Sequence, residues 1–142
     1  MADKILFELN EIKDISKRVI NLLDDVNILL FRGELGAGKT TLIKCILNEM
    51  GLKENVTSPT FSIVNEYELN EKIICHFDLY RIKSIEELHV IGFNEYIDSK
   101  KICFIEWPEI ATDIIFYDYL DIYIKADINE KREITITKYY KK

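Results

Sequence analysis

Residues 33–40 read Gly33-Glu34-Leu35-Gly36-Ala37-Gly38-Lys39-Thr40, a glycine-rich run that ends in an amine and a hydroxyl. The run fits G-x-x-x-x-G-K-[ST] at every required position. Its three glycines leave the main chain bare, so backbone N–H groups can turn inward around a chain of phosphates. Lys39 offers a point charge to the β- and γ-phosphates, and Thr40 offers a hydroxyl to a Mg²⁺ ion. Glu34, Leu35, Ala37 and Thr41 complete the wrap between and beyond these residues. A helix beginning here would add the positive end of its dipole and its unpaired N–H groups. The chemistry implied is the binding of a nucleoside triphosphate with its metal.

Hydrolysis needs more than a cradle: a carboxylate near the metal and a means of placing water. In open α/β sheets such groups stand at the C-terminal ends of strands. Two carboxylates qualify here. Asp78 closes the run Lys72–Phe77, with Tyr80 and Arg81 just beyond, and Glu106 closes Lys101-Ile102-Cys103-Phe104-Ile105. Glu106 would hold the metal directly or through water, or polarise the attacking water. Each acid also has a plainer reading as a surface carboxylate at a strand end. His76 and Asp78 form an H-x-D pair and share a strand face; a metal role and a structural histidine are both open. Trp107 either stacks near a nucleotide or fills a gap between elements. Val56-Thr57-Ser58-Pro59-Thr60 is an extended, hydroxyl-rich connector, since Pro59 disfavours helix at Ser58. It lies where nucleotide hydrolases often carry a segment that senses the γ-phosphate.

The elements that must position these groups can be read from periodicity. Lys4 to Leu9 reads as a strand, and Glu11 to Leu23 as an amphipathic helix with Ile12, Ile15, Val19, Leu22 and Leu23 on one face. Asp24-Asp25 precedes the buried strand Asn27–Arg32, which feeds the loop. The loop helix runs to Met50, with Gly51 as its C-cap. Phe61 to Leu69 and Lys72 to Phe77 read as two strands joined by a tight turn at Asn70-Glu71. Ser84 caps a short helix, Ile85 to Val90, with Glu87 at the capping-box position. Gly92 ends it. A short helical stretch is expected after Glu109, then strands Leu120–Ala126 and Glu133–Lys138 around a turn at Asn129-Glu130. The expected fold is α/β: a single P-loop domain over 1–142, with a mixed central sheet flanked by helices.

Bulk composition narrows the function further. The chain has 142 residues, 48% hydrophobic and 31% charged, which suits one domain with a real core. The formal net charge of −6 argues against an independent nucleic-acid binder. The opening residues lack the layout of a signal peptide and no apolar run is long enough to span a bilayer, so a cytoplasmic protein is expected. The three cysteines, Cys45, Cys75 and Cys103, lack C-x-x-C spacing and read as buried free thiols.

Taken together, GELGAGKTT (Gly33–Thr41), SPTF (Ser58–Phe61), HFDLYR (His76–Arg81), EWPE (Glu106–Glu109) and Glu86-Glu87-Leu88 before Gly92 resemble the TsaE (YjeE) family of bacterial tRNA threonylcarbamoyladenosine synthesis. Order and spacing agree over most of the chain. The resemblance implies Mg²⁺-dependent ATP hydrolysis, slow in the isolated protein, and two partners, TsaB and TsaD. TsaD carries out the threonylcarbamoyl transfer, and tRNA is met only through the complex. It implies phosphate and Mg²⁺ contacts by Lys39 and Thr40. It also implies a switch-like segment containing Ser58 and Thr60, catalytic acids Asp78 and Glu106, and Trp107 close to the site. The first helix departs from the family: Ile12 and Ser16 stand where a threonine and a glycine often lie near the adenine. The rival enzyme class is a small-molecule kinase, with Asp78 as base and Arg81 clamping phosphate. A GTP switch lacks its N-K-x-D signature here, and a nucleotide-sensing module without turnover would leave the two acids unexplained.

Overall fold

The structure is a computed structural model that describes residues 2–23, 26–126 and 131–141. Seven strands form one mixed sheet in the order β1-β7-β6-β2-β5-β4-β3. They are β1 Ala2–Phe7, β2 Ile28–Arg32, β3 Val64–Leu69, β4 Lys72–Asp78, β5 Ile102–Glu106, β6 Tyr119–Ala126 and β7 Arg132–Tyr139. The four central strands β6, β2, β5 and β4 are mutually parallel, whereas β1, β7 and β3 pair antiparallel at the margins. The expected α/β class and mixed sheet are what the chain adopts.

β2 shows why the centre is apolar without alternation. Leu29 and Phe31 face one layer and Ile28 and Leu30 the other, all almost fully buried. A parallel strand covered on both faces requires this. The first layer holds helices α1 (Ile12–Asn21) and α2 (Lys39–Glu49), which pack on each other. Leu42, Ile43, Ile46 and Leu47 of α2 seal it against Phe104 and Ile74. The second layer holds α3 (Ile85–Val90) and α4 (Phe93–Asp98), with Leu88, Phe93 and Ile97 set against Phe77 and Ile105.

Helix ends obey local chemistry. α2 starts at Gly38, whose φ of 109° is left-handed. It stops in a Schellman arrangement: Gly51 N–H bonds the Asn48 carbonyl and Leu52 N–H bonds Leu47. The Ser84 hydroxyl accepts a bond from Glu87 N–H at the head of α3. Asn70 and Glu71 both have positive φ, as a two-residue hairpin turn demands.

Most strand ends shift from expectation by one or two residues, and the larger differences have local causes. β1 ends at Phe7 rather than Leu9, because Glu8 and Glu11 cap a single 3₁₀ turn, Leu9–Glu11, through reciprocal bonds. Helix α1 accordingly begins at Ile12 and ends at Asn21. β3 starts at Val64, not Phe61: Ile63 takes a φ of 71° and gives its N–H to the Pro59 carbonyl, closing a turn that leaves Phe61 exposed. α4 was not expected at all. The stretch after Glu109 forms two 3₁₀ turns, Pro108–Ile110 and Thr112–Ile114. The expected turn at Asn129-Glu130, and Asp24-Asp25, lie outside the described residues. No helix among the described residues is long and apolar enough to cross a membrane. Cys75 and Cys103 are buried and Cys45 is partly buried, all as free thiols.

Candidate functional site

The parallel strands all deliver their C-terminal ends to the same edge of the sheet. β2 releases the chain into the glycine loop, β4 ends at Asp78 and β5 ends at Glu106. Asp78 and Glu106 are cross-strand partners, and Phe31 of β2 pairs with Glu106 on its other side. A cleft of about 270 Å³ opens here. Residues 35–41 line it together with Ser58, Thr60, Asp78, Glu106 and Trp107. The structure therefore gathers the expected loop residues, both acids, Thr60 and Trp107 into one place. Glu34 instead faces a neighbouring depression beside β6.

The loop is built on glycines with positive φ. Gly33 has φ 149° and the ideal position of an added Cβ lies 2.5 Å from the Ile124 carbonyl oxygen. No larger residue fits there unless the loop and β6 move apart. Lys39 is nearly buried, and its ammonium donates to the carbonyls of Gly33 and Glu34. It also sits 3.9 Å over the Trp107 ring. Burial holds its pKa below the usual lysine value, opposed by the carboxylates of Glu106, Asp78 and Glu109.

Thr40 Oγ1 lies 2.9 and 3.0 Å from the two oxygens of Glu106 and donates to that carboxylate. A hydroxyl and a carboxylate meeting at one point make a hard-oxygen donor pair, the kind a Mg²⁺ ion takes alongside phosphate and water. The residues present therefore fit that ion. Asp78 is organised differently. Its Oδ1 accepts from Tyr80 N–H at 3.0 Å. Its Oδ2 faces the hydroxyls of Ser58 and Thr60 at 3.4 and 3.3 Å, and those hydroxyls bond each other at 2.8 Å. The connector is thus fastened to an acid at the site.

Trp107 has left-handed backbone, φ 55° and ψ 57°, directly after Glu106. That conformation is costly for a bulky residue. It turns the indole onto Lys39 and to 4.9 Å from the Tyr80 ring. Arg81 lies over the exposed Phe61 ring and does not line the cleft.

Two further groups belong to this neighbourhood: Arg132, to which sequence reasoning gave no site role, and His76, whose role it left open. Arg132, at the start of β7, donates from Nε to the Ala37 carbonyl at 3.1 Å, pinning the loop from a residue 95 positions away. No local pattern marks it. His76 is fully buried, with Nε2 2.7 Å from Glu106 Oε2. The H-x-D spacing put His76 on the strand face of Asp78, and the acid it bonds is Glu106, which pairs with Asp78 on the neighbouring strand. On the far side of the loop, Phe7, Leu9, Ile12 and Arg132 border a small, largely apolar hollow of about 160 Å³. The Ser16 hydroxyl is buried and spent on the Ile12 carbonyl.

A glycine loop between β2 and α2, on a sheet whose parallel centre ends in acids, defines a protein of the P-loop α/β class. The comparisons with known proteins are more specific. The family model for "Threonylcarbamoyl adenosine biosynthesis protein TsaE" matches residues 6–134. The tRNA threonylcarbamoyladenosine biosynthesis protein TsaE of Haemophilus influenzae is 40% identical over 104 residues, 72% of this chain and 66% of that one. The Bacillus subtilis protein of the same name is 34% identical over 127 residues, 89% of this chain and 79% of its own. Among solved structures, Bacillus subtilis YdiB superposes with a TM-score of 0.75 at 28% identity, covering 96% of this chain and 86% of that one. The chain belongs to the TsaE family, whose role lies in tRNA threonylcarbamoyladenosine biosynthesis.

Proposed function

We propose that this protein is the ATP-hydrolysing member of the machinery for tRNA threonylcarbamoyladenosine, working in the cytoplasm with TsaB and TsaD. It does not transfer the threonylcarbamoyl group, and it meets tRNA only through the complex. The observation that carries this reading is the meeting of Thr40 and Glu106 at the mouth of the glycine loop. In it, the backbone of residues 34–41 wraps the phosphates. Lys39 exchanges the loop carbonyls for phosphate oxygens, and Thr40 and Glu106 hold Mg²⁺. That ion supplies charge neutralisation for the phosphates when bound. Asp78, tied to Ser58 and Thr60, orients water and reports the γ-phosphate to the connector. The apolar hollow beside Ile12 gives the adenine a surface to lie on. The net charge of −6 supports indirect rather than direct contact with tRNA.

The kinase reading loses support from Arg81, which packs on Phe61 and away from the cleft. The decisive experiment is phosphate release from ATP with Mg²⁺, with and without TsaB and TsaD. Slow release that the partners accelerate is expected. Absence of stimulation, or a phosphorylated small-molecule product formed in its place, overturns the proposal. Lys39→Ala is expected to abolish tight ATP binding, whereas Glu106→Ala retains some binding and loses hydrolysis. Normal hydrolysis by Glu106→Ala combined with none by Asp78→Ala would reverse the two acids' roles.

A further inference from the structure

His76 lies on β4 two residues before Asp78, on the same face of the strand. It has no exposed surface, and Glu106 is only 3% exposed. It does not line the cleft, so it cannot touch a ligand there. Its one polar contact among the described residues is Nε2 to Glu106 Oε2 at 2.7 Å. Its other nitrogen, Nδ1, is buried without a hydrogen-bond partner.

This asymmetry decides where the proton sits. A ring N–H at Nδ1 would be a buried donor with nothing to accept it, and buried donors are the groups least tolerated without partners. A proton at Nε2 meets a carboxylate oxygen. Of the two singly protonated tautomers, the geometry therefore selects the one with its proton on Nε2, which donates to Glu106. The carboxylate is then held from behind by His76 and approached from the front by Thr40. Packing alone does not call for this residue. An apolar side chain on the same face, like Ile74, or like Phe104 paired opposite His76, leaves no orphan nitrogen.

We infer that His76 is a positioning residue for Glu106. Its Nε2–H occupies one lone pair of Oε2 and fixes the carboxylate's orientation, so that the remaining oxygen faces point at Thr40 and the cleft. The inference rests on the ATP-hydrolysing reading above. Outer-shell partners of metal-holding carboxylates typically change metal affinity or activity about 10–100-fold when removed.

The test compares His76→Gln with His76→Asn in the full chain. The glutamine amide places an N–H near the Nε2 position, whereas the asparagine amide places it near Nδ1. ATP affinity is measured by calorimetry in EDTA and across a Mg²⁺ titration, and hydrolysis is measured with TsaB and TsaD. Both variants should bind metal-free ATP within about twofold of wild type. His76→Asn should need roughly 10-fold or more Mg²⁺ for half-saturation and lose hydrolysis in proportion, while His76→Gln stays near wild type. Equal behaviour of the two variants, whether both intact, both impaired or both unfolded, overturns the positioning role. So do ¹⁵N spectra of the wild-type protein in which the His76 ring carries its proton on Nδ1. A wild-type chain that binds no ATP overturns the functional reading and the inference with it. ATP hydrolysis by wild type with Asn and Gln equivalent overturns the inference alone.

Discussion

Gly33→Ala and Gly36→Ala add the same methyl group to the same loop, and the structure assigns them different costs. Both glycines have positive φ, 149° and 79°. Gly36 has open space around its added Cβ, with nothing within 4 Å. Its alanine variant therefore bears backbone strain alone, about 1–2 kcal/mol. At Gly33 the Cβ falls 2.5 Å from the Ile124 carbonyl oxygen and 3.3 Å from the Ala37 Cβ. Ordinary contact starts near 3.4 Å, so roughly 0.9 Å must be found by movement. Ile124 is buried within β6, which is paired with β2 on one side and β7 on the other, so the loop must give way instead. Overpacking of this kind adds about 1–3 kcal/mol to the strain. Displacing Gly33 also displaces the carbonyl that receives the Lys39 ammonium. Urea denaturation reads the difference directly. With m near 1–3 kcal/mol/M, the midpoint of Gly33→Ala should lie about 1 M below that of Gly36→Ala at equal m. Nucleotide affinity of Gly33→Ala should fall more than about 10-fold, as expected for over 1.4 kcal/mol. Equal midpoints, or a Gly33→Ala protein more stable than Gly36→Ala, would refute the claim that β6 sets the geometry of the loop.

Arg132→Gln removes the bond to the Ala37 carbonyl at 3.1 Å; for a partly buried charged donor this is about 1–2 kcal/mol, so ATP should bind roughly 5–30-fold more weakly by calorimetry while the protein stays folded. Phosphate favours the protonated form of Lys39, whose pKa burial holds below 10.5. ATP affinity should therefore be full below that lowered value and decline as pH rises through it; Lys39→Arg should flatten the alkaline decline, and an unchanged profile would count against Lys39 as the phosphate's charge. Cys45 is partly exposed, whereas Cys75 and Cys103 are buried and the Cys103 thiol is pushed up by its hydrogen bond with Cys75 and by burial. Mass spectrometry after brief thiol alkylation of the native protein should find Cys45 modified and Cys103 untouched.

What could be read from the chain divides along sequence distance. The loop was legible because its chemistry lies in eight consecutive residues, and β2 because burial on both faces leaves an unbroken apolar run. The carboxylates were legible as candidates, since each closes an apolar strand. Their adjacency was not, because hydrophobic pattern does not say that β4 lies beside β5 in register. Arg132 was invisible for the same reason: its role depends on where β7 pairs. Phe61 and Ile63 imitate the alternation of a strand, and only the capture of Ile63 N–H by the Pro59 carbonyl ends the imitation. α4 carried a usable signal in Phe93, Tyr96 and Ile97 at helical spacing. Six residues are too few for that signal to stand out against a loop.

The strand order also fixes the electrostatics of the site. Parallel neighbours in register bring their terminal side chains within about 5 Å of one another. Asp78 and Glu106 are such a pair, and two carboxylates so placed repel unless something answers them. The protein answers with donors from every side: Thr40 and His76 to Glu106, Ser58, Thr60 and the Tyr80 N–H to Asp78, with the Lys39 ammonium close by. In the proposed function, a triphosphate entering the cleft would bring further negative charge and would draw Lys39 away from the loop carbonyls. On that proposal the balance would call for a cation beyond those the chain supplies, at the point where Thr40 and Glu106 meet. Because Asp78 is fastened to the connector rather than to α2, a charge arriving there acts on Ser58 and Thr60 as well as on the loop. The same register that crowds the acids would thereby couple the proposed phosphate and metal to the connector through one pair of strand ends.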